Sequence, residues 1–166
     1  MIEQARYQSG YRAENRLAAS APQRRVRRAM EWPEPRVALG VALRGVAHAA
    51  IDLSDGLAGD LGHVLERSRV GAELDYAALP RSRDLVAQPD AVQQQCLLGG
   101  GDDYELLFSA ATSARADVQR AADAAAVTVC RIGTVQAKPG LRVRWPDGRV
   151  TPWVARGFDH FAAESA

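Results

Sequence analysis

Apolar positions along the chain fall into short alternating runs and helical stripes. Val37, Val41, Leu43 and Val46 predict a short helix from Arg36 to Val46, interrupted by Gly40 and Gly45. The run His48 to Ile51 reads as a strand, and Leu57, Leu61, Val64 and Leu65 repeat at helical spacing. That helix should end near Ser68, with Gly71 suited to its exit. Ala72 to Leu79 alternates imperfectly, as a strand stopped by Pro80. Residues 81–96, with Pro89 and Gln93-Gln94-Gln95, read as a loop and then a short helix. An apolar strand ends at Phe108, and a helix capped by Thr112 or Ser113 spans Ser113 to Ala126, with Val118 and several alanines inward. Val127–Val135, Gly140–Trp145 and Val150–Val154 are strands, the last two joined through Pro146-Asp147-Gly148. This order predicts an α+β domain with a mixed or antiparallel sheet covered by helices.

Residues 1–35 break the pattern. They hold seven arginines and four glutamates, few large apolar residues, and end in Trp32-Pro33-Glu34-Pro35, whose prolines disfavour helix. They read as an N-terminal arm or linker remnant outside the core, with the domain proper over 36–166. Arg24-Arg25-Val26-Arg27-Arg28 invites a nucleic-acid reading. No aromatic platform accompanies it, and the net charge of the chain is only +1, so a solvated helix or linker is the preferred reading and no nucleic-acid partner is expected.

Composition narrows the class further. With 47% hydrophobic and 25% charged residues over 166, the chain is an ordinary globular domain. It has no apolar run of about 18 residues and no secretory pattern near its start, so a cytoplasmic protein with no membrane partner is expected. Cys96 and Cys130 lie far apart, and His48, His63 and His160 are scattered, which gives no zinc pattern. Lys138 is the sole lysine, so no Walker-type P-loop exists.

Two stretches carry candidate chemistry. In Ile51-Asp52-Leu53-Ser54-Asp55-Gly56-Leu57 a strand turns into a helix. The turn places Asp52, Ser54 and Asp55 at a helix N-terminus, where free N–H groups and the helix dipole favour anions. Carboxylates there can instead hold a hard cation such as Mg²⁺, which in turn holds a phosphate. Ser54 or Asp55 can also be an ordinary N-cap, the commoner role for such residues. An EF-hand is excluded, because His63 stands where that loop needs its closing glutamate. The second stretch, Gly99-Gly100-Gly101-Asp102-Asp103-Tyr104-Glu105-Leu106, joins a flexible turn to two adjacent carboxylates and a strand. It can be a plain solvated loop. Acidic residues nevertheless sit at the ends of two strands, where open sheets bind ligands.

Together these motifs resemble thiamine-monophosphate kinase. The likeness rests on Ile51-Asp52-Leu53-Ser54-Asp55-Gly56-Leu57 followed by Asp60-Leu61, on Gly100-Gly101-Asp102-Asp103-Tyr104-Glu105-Leu106, and on Gly157-Phe158-Asp159-His160-Phe161. Pro35-Arg36-Val37 and Leu79-Pro80 fit as well. The resemblance implies the C-terminal domain fold of the aminoimidazole ribonucleotide synthetase-like superfamily. It implies ATP-dependent phosphorylation of thiamine monophosphate to thiamine diphosphate, with Mg²⁺ and ATP required. Asp52 and Asp55 would be metal ligands and Ser54 would contact ATP. Asp102 would contact substrate where the family usually has a glutamate, and Phe158 would lie beside the substrate's rings. The resemblance covers only the C-terminal half of the family's protein, and nothing in residues 1–35 resembles the missing N-terminal domain. The chain is therefore expected to be inactive alone, with a homodimer or a separate N-terminal domain as its candidate partners. The alternative is a non-catalytic lone domain that binds a phosphorylated ligand or a protein partner.

Overall fold

The computed structural model describes residues 1–5 and 21–154. Strands Ile2–Ala5 (β1), Ala47–Asp52 (β2), Gly71–Asp75 (β3), Leu106–Ala110 (β4), Val129–Gln136 (β5), Gly140–Arg144 (β6) and Val150–Trp153 (β7) form one seven-stranded sheet. Its order is β2-β4-β1-β5-β3-β6-β7; β3 and β6 run parallel and every other pair is antiparallel. Helices Ala21–Glu31 (α1), Val37–Ala42 (α2), Leu57–Ser68 (α3), Arg83–Val86 (α4), Asp90–Gly99 (α5) and Arg115–Ala124 (α6) complete the described part. The expected α+β class, a mixed sheet covered by helices, is what the chain adopts.

Alternation along the strands divides the core between the two faces of the sheet. In β4, Leu107 packs with Leu57, Leu61 and Leu98 beneath α3 and α5. Its neighbour Phe108 points the other way, onto Leu39, Leu43 and Val118 from α2 and α6. The first cluster is the larger, and it pins α3 against the sheet through Leu57, Leu61 and Leu65, all at or below 4% exposure. The turn that precedes α3 is thereby held in place.

Local chemistry moved several boundaries. Arg69, in the left-handed conformation at φ 54°, ends α3, and Gly71 already belongs to β3. The Asp75 side chain accepts the Ala77 N–H at 3.0 Å, so β3 stops there and Tyr76–Ala78 forms a turn of 3-10 helix. Residues 81–96 hold two helices, the first capped by the Ser82 hydroxyl on the Leu85 N–H. Neither Thr112 nor Ser113 caps the following helix; a 3-10 turn at Thr112–Ala114 leads into α6 without a side-chain cap.

The arm reading of residues 1–35 differs from the structure at its start. Residues Met1–Ala5 belong to the sheet: β1 lies between β4 and β5, and Met1 and Ile2 are 7% and 1% exposed in the core. A four-residue strand has too short a pattern to stand out from a polar, arginine-rich neighbourhood. The arginine cluster forms α1, where Arg25 makes a bidentate pair with Asp84 at 2.7 and 3.1 Å and Arg27 pairs with Glu31. Replacing Ile2 with Ala should destabilise the protein by about 2–5 kcal/mol, the usual cost of emptying a fully buried aliphatic site. Urea unfolding measures this, and a loss below about 0.5 kcal/mol, typical of surface positions, would place Ile2 outside the cooperative core.

A carboxylate turn locked to a glycine loop

Asp52 closes β2 and Leu57 opens α3, leaving Leu53 to Gly56 as the turn. Neither Ser54 nor Asp55 caps the helix. The cap position belongs to Gly56, at φ 104°, with no side-chain cap bond. Instead Asp60, one turn into α3, reaches back, and its Oδ2 accepts the N–H groups of Ser54 and Asp55, each at 3.1 Å. Asp60 is 3% exposed. Burial pushes its carboxyl up against the pull of these amides, and Asp55 and Asp52 add to the rise. Two amides of the turn before the cap position, those of Ser54 and Asp55, are therefore occupied by an internal carboxylate. What the turn offers outward is acidic: Asp52 and Asp55 are exposed, and no basic side chain among the described residues pairs with them.

The second motif folds directly onto this turn. The Asp102 N–H donates to the Ser54 carbonyl at 2.9 Å, the Tyr104 N–H to the Leu53 carbonyl at 2.7 Å, and the Leu53 N–H to the Glu105 carbonyl at 2.9 Å. Two glycines permit the approach. A Cβ on Gly101 would lie 2.5 Å from the Ser54 carbonyl oxygen, and one on Gly56 would lie 2.9 Å from the Gly99 carbonyl carbon. The loop reaches this position through left-handed backbone at Asp102 (φ 64°) and Tyr104 (φ 52°). Aspartate tolerates that region, but tyrosine rarely occupies it, and such strain concentrates at functional sites. Tyr104 and Glu105 therefore precede the strand.

Around this junction the acids sort into outward and inward sets. The Tyr104 hydroxyl, 3.4 Å from Asp102 Oδ1, is held protonated beyond its ordinary range, chiefly by the Asp102 charge and with contributions from Asp52 and Asp55. Asp52, Asp55 and Asp102 are all exposed. Inward, Glu105 is 5% exposed and takes a bidentate bond from Arg36 at 2.7 and 2.9 Å. Asp103 is 8% exposed and, among the described residues, neither of its oxygens has a hydrogen-bond partner. Burial, reinforced by Glu105, Asp102 and Asp60, pushes its carboxyl up to about 9.

The structure thus brings Asp52, Ser54, Asp55 and Asp102 together at one junction. It does not make them a closed metal cage: among the described residues no three His, Cys, Asp or Glu side chains form a group able to hold a metal ion. The donor set still suits Mg²⁺, which is commonly bound by one or two carboxylates with water and substrate phosphates completing its shell. Phe158 lies outside the described residues. Sequence reasoning missed the supporting side chains Asp60, Arg36 and Asp103. Asp60 did leave a signal, since it sits three residues after Leu57 on the inward stripe shared with Leu61, and a lone acid there needs a partner.

Residues 7–146 match the family described as AIR synthase related protein, C-terminal domain. The chain belongs to this family. Among its curated relatives is the thiamine-monophosphate kinase of Haemophilus influenzae, 42% identical over 137 residues, a match covering 78% of this chain and 40% of the relative. The crystal structure of thiamine-monophosphate kinase from Stenotrophomonas maltophilia superposes with a TM-score of 0.78 at 36% identity, over 90% of this chain and 50% of that one. AaThiL, solved in complex with AMPPCP and TMP, has the same fold at TM-score 0.74 and 22% identity, over 96% of this chain and 50% of that one. The chain therefore spans about half or less of the length of these family members. The likeness read from the three motifs holds. No helix among the described residues is long and apolar enough to cross a membrane.

The Asp103 carboxyl has a consequence for stability. The folded protein keeps a proton that the unfolded chain releases in the ordinary carboxylate range, so stability falls as pH rises from that range to about 9 and levels off above it. The Asp103→Asn variant carries no such proton. It should melt higher than the parent at pH 8, and the gap between them should grow by up to about 1.4 kcal/mol per pH unit across the window. Parallel melting curves for the two proteins from pH 5 to 9 would disprove a protonated Asp103.

Proposed function

We propose that this chain is the C-terminal part of an ATP-dependent thiamine-monophosphate kinase, acting in the cytoplasm and producing thiamine diphosphate. The observation that carries this reading is the junction itself. A turn whose amides are closed from within and whose carboxylates face outward is fused by backbone bonds to the loop bearing Asp102. The curated relatives named thiamine-monophosphate kinase, and the bound AMPPCP and TMP in AaThiL, support it.

In this reading Asp52 and Asp55 hold Mg²⁺, Ser54 contacts ATP, and Asp102 and Phe158 contact thiamine monophosphate. The metal would neutralise phosphate charge, the principal requirement of phosphoryl transfer. The acceptor is itself a phosphate and largely ionised at neutral pH, so no strong general base is required of this chain. Its residues position and orient. The bond from Asp102 N–H to the Ser54 carbonyl fixes the distance between the metal-holding and substrate-holding segments. The Tyr104 hydroxyl steadies the Asp102 carboxylate, which is one methylene shorter than the glutamate usual in the family. In this reading the remaining metal ligands and nucleotide contacts belong to the part of the relatives' length that this chain does not span. A non-catalytic lone domain is the second reading. It is favoured by the apolar surface left at Trp32, Val37 and Val41, which are 79%, 68% and 60% exposed and suited to a protein partner.

Calorimetric titration with thiamine diphosphate, with and without Mg²⁺, tests the proposal. Binding should require Mg²⁺ and weaken by at least about tenfold in Asp55→Asn, the scale expected when a metal site is impaired. Equal binding without metal, or binding unchanged in Asp55→Asn, would sink the metal role of this turn and favour the lone module. Incubated alone with ATP and thiamine monophosphate, the chain should give no turnover; robust diphosphate formation would refute the need for a second domain.

A further inference from the structure

We infer that Arg36 is a positioning residue, whose fork on Glu105 holds the loop carrying Asp102 against the Leu53–Ser54 turn. The inference deepens the substrate role proposed for Asp102 and rests on it for what the positioning serves. Between Gly101 and β4 the backbone turns left-handed twice, at Asp102 (φ 64°) and Tyr104 (φ 52°), and such backbone persists only where the surroundings over-determine it. Main-chain bonds do part of the holding: Asp102 and Tyr104 donate to the Ser54 and Leu53 carbonyls, and the Glu105 carbonyl accepts from Leu53. Most side chains of the loop add little. Among the described residues, the Asp102 and Tyr104 side chains hydrogen-bond only to each other, and the Asp103 carboxyl has no hydrogen-bond partner. Glu105 is the exception. Arg36 Nε and Nη2 donate to its two oxygens at 2.7 and 2.9 Å. The Arg36 and Glu105 side chains are 12% and 6% exposed, so water hardly competes for the pair. Arg36 is itself mounted rigidly. It stands at the head of α2, whose Leu39, with the following Leu43, is buried with Phe108 of β4. A further contact, to Glu34 at 3.2 Å, steadies the guanidinium from the connector that precedes α2. Asp102 lies three residues from this anchor, with the left-handed Tyr104 between them, so its carboxylate is placed from α2 as well as from the turn.

Arg36→Met alone would leave a buried carboxylate without its guanidinium. The deciding variant is therefore Arg36→Met combined with Glu105→Met, an apolar pair of similar volume that commonly preserves the stability of such a site. Amide hydrogen exchange on the full chain reads the result, with urea unfolding to measure global stability. Neither thiamine, ATP nor metal is needed, so failure here is distinguishable from failure of the kinase reading. In the double variant the amides of Leu53, Asp102 and Tyr104 should lose protection by about 10- to 100-fold beyond any change at Leu107 and Phe108 in β4, the scale of losing hydrogen bonds to a charged group. A merely structural pair would move loop and strand amides together, by the factor that the urea-measured stability loss predicts. Arg36→Lys keeps a positive charge beside Glu105 but not the planar fork. It should loosen the same three amides selectively, by a smaller factor, and it decides the question if the double variant does not fold. The inference is overturned if, in either folded variant, the three amides keep the parent's protection or fall no further than those of Leu107 and Phe108.

Discussion

The structure depends on a close backbone contact between two segments nearly fifty residues apart in the chain. The Ser54 carbonyl receives the Asp102 N–H, with Gly101 pressed against the same carbonyl and Gly56 against Gly99. Side chains cannot enter this junction, so its geometry is set by main-chain atoms and tolerates little variation. Everything chemically notable lies at its margin: the outward carboxylates Asp52, Asp55 and Asp102, the left-handed Tyr104, and the buried acids Asp60, Asp103 and Glu105.

Holding three acids below the surface costs free energy, and the chain meets that cost in three different ways. Glu105 has a guanidinium in bidentate contact, the strongest pairing available to a carboxylate. Asp60 has two amides, although burial still pushes its carboxyl up. Asp103 has no hydrogen-bond partner among the described residues, and burial pushes its carboxyl up to about 9. A core built only for stability would place apolar residues here, since polar burial of this kind is at best neutral. The acids make sense as the underside of a site that must keep exposed carboxylates close together in the absence of a cation.

The scaffold around the junction is ordinary by comparison. Two apolar layers cover the two faces of a seven-stranded sheet, and α3 is clamped by the larger of them. The turn that precedes it carries the candidate residues Asp52, Ser54 and Asp55, so the packing of the core and the geometry of that turn are coupled through one helix. The arginine-rich α1 is tied back by the Arg25 pair with Asp84, which accounts for part of its charge without any nucleic acid.

The sequence by itself determined the class of the fold, most of its elements, the two chemical motifs and the family to which they belong. Helical stripes and strand alternation are local, and motif residues such as Asp52, Ser54, Asp55 and Asp102 are visible one by one. Tertiary structure decided what local patterns cannot encode. It placed β1 inside the sheet, because a strand of four residues earns its position only from the edges of β4 and β5. It turned the apparent N-cap into a carboxylate-presenting turn, because Gly56 holds the cap position and Asp60, from within the helix, fixes the Ser54 and Asp55 amides. It joined the two motifs through carbonyl and amide groups, which every residue possesses and no sequence pattern marks.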